Sequence, residues 1–71
     1  MTKLEVLAYF AKVAREQVLQ PDVPLGNLYA SVLYDLHPEL DALINCDAEL
    51  DPYLSDENIP AFLKWIIEQG E

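Results

Sequence analysis

The chain has 71 residues, of which 13 are Asp or Glu and 4 are Lys or Arg, giving a formal net charge of −9. That balance argues against direct binding to DNA, RNA or an anionic membrane, because a polyanion repels it in every orientation. Yet 52% of the residues are hydrophobic, so the chain is expected to fold around a core rather than remain an acidic tail.

The length fits one domain, residues 1–71. A chain this short buries only about 60% of the surface it exposes when unfolded. Small scaffolds commonly add a disulfide, a metal or a second subunit. Cys46 is the only cysteine, so no internal disulfide can form. A lone thiol and no secretory signal point to a reducing, cytoplasmic compartment. Glu5, Lys12, Arg15 and Glu16 interrupt the first segment, which fits neither a signal peptide nor a membrane span. A homodimer is the one staple left open.

Thr2-Lys3-Leu4-Glu5 matches a capping box, with Thr2 as N-cap, and predicts a helix to about Leu19. Leu4, Leu7, Ala8, Ala11, Ala14 and Val18 recur on a helical period. Val6, Phe10 and Val13 form a second, adjacent row. Together the rows cover nearly half the circumference, more than one neighbouring helix needs. Gln20-Pro21 ends the helix, since a residue before proline avoids the helical region.

Residues 20–26 read as a loop. Leu25, Leu28, Tyr29, Val32, Leu33 and Leu36 then give the cleanest helical stripe in the chain, broken at His37-Pro38. Pro38 suits a first helical turn, so a short third helix follows, with Leu40, Leu43 and Ile44 inward. Residues 45–58 predict at most one helical turn, near 47–51, and loop beyond it. Asn58 is the expected N-cap of a last helix to about Gln69, with Pro60 in its first turn and Gly70 as its C-terminal cap. Its stripe is Ile59, Phe62, Leu63, Ile66 and Ile67. The fold class expected is all-α: a small single-domain bundle of three main helices plus one short helix.

Nucleophilic catalysis finds little support in the sequence, and a carboxylate-based or metal-dependent enzyme is a third reading that lacks a second catalytic partner. His37 lies before a proline and reads as a local cap or surface residue, without a nucleophile and an orienting group set around it. Cys46 has no basic neighbour to activate it and reads as a small, half-buried residue. Gly26 and Gly70 sit in no phosphate-cradling loop, and Ser31 and Ser55 lie in no nucleophile motif. Asp47, Glu49 and Asp51 occupy positions 1, 3 and 5 of a calcium loop. Pro52 then stands where glycine is required, and Asn58 where glutamate is. One Cys and one His cannot supply a zinc site. No cofactor or metal is expected.

The charge distribution carries the strongest signal. No Lys or Arg lies between Arg15 and Lys64. Ten acids do: Glu16, Asp22, Asp35, Glu39, Asp41, Asp47, Glu49, Asp51, Asp56 and Glu57. Such a run often does no more than solubilise a small domain. The sharper reading is a protein partner with a basic surface, bound by Asp35, Glu39, Asp41, Asp47, Glu49, Asp51, Asp56 and Glu57. Tyr53 and Trp65 would serve as apolar anchors, since amphipathic aromatics beside charges suit interfaces. Covering the edge of a small core is the competing role for Trp65.

The expected function is therefore a non-enzymatic interaction module or regulator. The alternative is a polyanion mimic that blocks a nucleic-acid-binding protein, as a phage-type anti-defence protein would. In its sharpest form the mimic has residues 47–51 extended, with Asp47, Glu49 and Asp51 pointing the same way about 6–7 Å apart. If the segment is helical, only Asp47 and Asp51 share a face. Inhibitors, immunity factors and phage-encoded regulators share this outline, and no motif selects among them.

Overall fold

Thr2 opens the first helix as its sequence predicts. In the computed structural model, which describes residues 1–71, α1 runs Lys3–Leu19. The Glu5 backbone N–H donates to Thr2 Oγ1 at 3.1 Å, and the Thr2 N–H donates to Glu5 Oε1 at 3.0 Å. This backbone hydrogen bond from Thr2 is the main cause holding the Glu5 carboxyl below its ordinary pKa. At the other end, Gln20 leaves the helical region ahead of Pro21, and its N–H closes the last turn on the Glu16 carbonyl at 2.7 Å.

Of the two apolar rows on α1, the core takes the second. Val6, Tyr9 and Val13 are buried, and Phe10 packs beside them. Tyr9, part of neither row in the sequence reading, is fully buried. The aromatic pair explains the choice, because one docked face buries the most area when it carries Tyr9 and Phe10. Leu4, Leu7 and Val18 stay in solvent at 78%, 64% and 81% exposure.

Helix α2 spans Leu25–Leu36 and α3 spans Pro38–Asn45, with His37 as the corner between them. The α2 stripe holds: Leu28, Val32 and Leu33 are buried, and Leu25 and Tyr29 pack against them. Leu36 lies at its exposed margin. Helix α3 is rotated from expectation. Ile44 is buried and Leu40 half-buried, but Leu43 faces solvent, and Asp41 turns inward instead. Asp41 is three residues before Ile44, so the two share a face. The Asn45 side-chain amide donates to Asp41 Oδ2 at 3.2 Å, which gives the buried carboxylate a partner. Cys46, expected to be half-buried, is exposed at the end of α3.

Residues 46–58 are more ordered than predicted. Asp47, Asp51 and Ser55, spaced four apart, each accept a hydrogen bond from the backbone N–H two residues on. The donors are Glu49 at 3.0 Å, Tyr53 at 2.9 Å and Glu57 at 3.2 Å. Short side-chain oxygens stand in for backbone acceptors and seed one turn after another. The third turn is a 3-10 turn, Asp56–Asn58, which runs straight into α4, Ile59–Gln69. Ser55 is thus the true cap, in extended conformation at φ −159°. Asn58 is already helical at φ −81°, ψ −12°, and makes no side-chain cap, because a cap residue must stand outside the helical region. Its amide instead donates to the Ala48 carbonyl at 2.8 Å and the Asp51 carbonyl at 2.9 Å, tying the turns to the base of α4.

Helix α1 packs on α2 and α4, and α2 packs on α3. The radius of gyration is 11.2 Å, against about 11 Å for a compact chain of this length. Phe62 and Ile66 of α4 are fully buried, whereas Ile67, part of the predicted stripe, is half-exposed. Tyr9 and Phe62 meet edge-on with centroids 6.4 Å apart, and Tyr29 lies 5.6 Å from Phe62. Two close approaches need glycine. A side chain on Gly26 would collide with the Pro52 backbone carbonyl, and a Cβ on Gly70 would lie 2.7 Å from Val6 Cγ2. Gly70 does end α4, at φ −92°, so closeness to α1 rather than a left-handed backbone is what calls for glycine there.

Candidate functional site

The successive turns place four of the predicted acids on the surface. Asp47, Glu49, Asp56 and Glu57 are all exposed. Between them, Tyr53 and Leu54 stand 63% and 62% exposed. Buried Pro52 packs on Gly26 beneath this pair and anchors the loop to the first turn of α2. The result is an acidic loop that also exposes two apolar side chains.

The other predicted residues are distributed differently. Asp35 projects from α2 toward α1, where Lys12 Nζ lies 3.9 Å from its Oδ2. Tyr53 shares a groove of about 380 Å³ with Lys12, Glu16 and Asp35, so the structure joins Asp35 to the loop across the α1–α2 face. Glu39 is exposed at the start of α3 and 3.7 Å from His37 Nδ1. On the other side of that ring, Glu5 Oε2 is 3.8 Å from Nε2. Asp41 and Asp51 are buried and spend their carboxylate oxygens on Asn45 and on the Tyr53 N–H. Trp65 is half-buried and stacks on Phe62 at 6.5 Å, at the edge of the core.

Residues 47–51 are not extended. The Asp51 N–H bonds to the Asp47 carbonyl at 3.1 Å, which closes the segment into a turn. The evenly spaced comb of Asp47, Glu49 and Asp51 is therefore not formed, and Asp51 points inward.

Electrostatically the loop is nearly uncompensated. The ion pairs in the structure are Lys12 with Asp35, and His37 with Glu5 and Glu39 whenever its imidazole is protonated. None reaches Asp47, Glu49, Asp56 or Glu57. No three His, Cys, Asp or Glu side chains gather in a way that could hold a metal ion. No helix is long and apolar enough to cross a membrane. Sequence reasoning missed Leu54 as the exposed neighbour of Tyr53. Comparison with protein-family models, curated proteins and solved structures finds no match for the chain.

Proposed function

We propose that the chain is a single-domain helical bundle that works without catalysis, as a cytoplasmic interaction module for a protein with a basic surface. The observation that supports this best is the loop from Asp47 to Glu57. It exposes four carboxylates that make no ion pair, together with Tyr53 and Leu54, on a segment of chain that holds no Lys or Arg. Unpaired acids give fast, steered encounter with a basic patch, and the exposed apolar side chains supply contact area that survives screening. Asp35 and Glu39 extend the surface. Asp51 shapes it from within by accepting the Tyr53 N–H.

The polyanion-mimic alternative, without the extended comb of acids, rests on the exposed acids alone. The test is affinity capture from the native source at low salt, followed by stepwise salt elution and mass spectrometry. The reading expects basic proteins whose capture falls when Tyr53→Ala is used as bait. Captured nucleic-acid-binding proteins that DNA displaces at equal charge would instead favour mimicry.

A further inference from the structure

The exposed row of α1 is not a random scatter of apolar side chains. Leu4, Leu7, Ala11, Ala14 and Val18 are spaced 3, 4, 3, 4, which is the a/d pattern of a heptad seam. All five are exposed, and they fall within an arc of about 80°. Val6, Tyr9 and Val13, which face the core, lie on roughly the opposite side of the same helix. The seam thus has no partner within the fold. It adjoins an apolar groove of about 580 Å³ between α1 and α4, where Leu7, Phe10 and Ile67 meet.

We propose that this seam binds the seam of a second copy, antiparallel about a two-fold axis. Residues whose numbers sum to 25 then face each other. Leu7 meets Val18 of the other copy at both ends, and Ala11 meets Ala14 in the middle. Large residues at the ends and small ones at the centre make the ridge complementary to itself, as a two-fold interface requires. The alanines let the axes approach to about 8 Å. Charge also selects this face. Helix α1 holds Lys3, Lys12 and Arg15 against Glu5 and Glu16, so two chains of net −9 repel least when they approach through it. Helices about 25 Å long and 10 Å wide bury several hundred Å² on each copy, below the roughly 800 Å² per partner of a standard interface. The dimer is accordingly weak and concentration-dependent.

Sedimentation equilibrium of the full chain, up to several hundred micromolar, tests this. A dimer is expected that tightens as salt rises, because screening relieves repulsion between two acidic bodies whose contact is apolar. That is the opposite sign from binding of a basic partner by the acidic loop, so the two proposals fail separately. Ala14→Glu, at an exposed position that leaves the core untouched, should weaken the dimer about tenfold or more by burying unpaired charge. Orientation is read in a Cys46→Ser background. Under mild oxidation, Leu7→Cys mixed with Val18→Cys should cross-link, and Val18→Cys alone should not. A chain that stays monomeric at every salt overturns the proposal and leaves the ridge to a helix of another protein. So does a dimer indifferent to Ala14→Glu, and so does Val18→Cys cross-linking to itself as readily as to Leu7→Cys.

Discussion

The Tyr9 hydroxyl donates a 2.7 Å hydrogen bond to the backbone carbonyl of Tyr29. It fastens the middle of α1 to the middle of α2 at the only polar atom of a fully buried side chain. The ring itself lies between Phe10, Tyr29 and Phe62. Removing the hydroxyl alone should cost about 1 kcal/mol, the net worth of a hydrogen bond. Tyr9→Ala should cost about 3–5 kcal/mol by opening a cavity at the centre of the core. Urea denaturation of both variants measures the difference, and Tyr9→Phe as damaging as Tyr9→Ala would contradict the assignment.

Tyr9 also sets a pH limit. Burial, with smaller contributions from Tyr29 and Asp41, raises its pKa far above the ordinary 10.0. The folded state therefore holds the phenolic proton where the unfolded chain has released it. Tyr9's contribution to stability is full below pH 10 and is lost as pH rises beyond it. Thermal melts across the alkaline range should show this slope in the native chain and a shallower one in Tyr9→Phe.

Gly26→Ala and Gly70→Ala separate backbone from side-chain crowding. Alanine ordinarily stabilises a helical glycine position by about 0.5–1 kcal/mol. At Gly26 it meets the rigid Pro52 backbone, and should destabilise by about 1–3 kcal/mol while lifting the acidic loop from α2. At Gly70 it meets the Val6 side chain rather than backbone, at a chain end that can shift away, so the loss should be smaller. Equal melting temperatures for the two variants would count against the docking of Pro52.

Much of this architecture was legible in the sequence, and the exceptions share a cause. Capping chemistry and proline positions are local, so both ends of α1, the end of α2 and the start of α3 followed from Thr2, Pro21 and Pro38, whereas α2 begins at Leu25, inside the segment 20–26 expected to be loop. Which face of a helix turns inward is a tertiary decision. On α1 two apolar rows competed, and Tyr9 decided between them through packing that no window of sequence contains. On α3, Asp41 displaced Leu43 from the inner face because Asn45 could satisfy its carboxylate. The loop from Asp47 to Glu57 was legible as acidic but not as ordered: its turns start on the local oxygens of Asp47, Asp51 and Ser55, and Asn58, expected to be a cap, ties them down by reaching back ten residues to Ala48. Of the candidate site, Tyr53 and the exposed acids could be found by charge and aromatic placement. The inward roles of Asp41 and Asp51 could not.

Asn58→Ala should loosen that loop without unfolding the helices. It removes two hydrogen bonds at once, worth about 1 kcal/mol each. Amide exchange at Asp51 and Leu54 should speed up while the α1 and α2 cores keep their protection. Uniform loss of protection would show instead that Asn58 supports the whole fold.

The central claim is that the acidic loop binds a basic protein surface, and salt dependence tests it most directly. The captured partner's affinity is measured against salt for the native chain and for a variant carrying Asp47→Asn, Glu49→Gln, Asp56→Asn and Glu57→Gln. All four positions are exposed, so the fold should survive their neutralisation. The account predicts that native binding weakens steeply as salt rises, and that the variant binds more weakly at low salt with a much flatter dependence. Equal affinity and equal salt slope for the two proteins would contradict it.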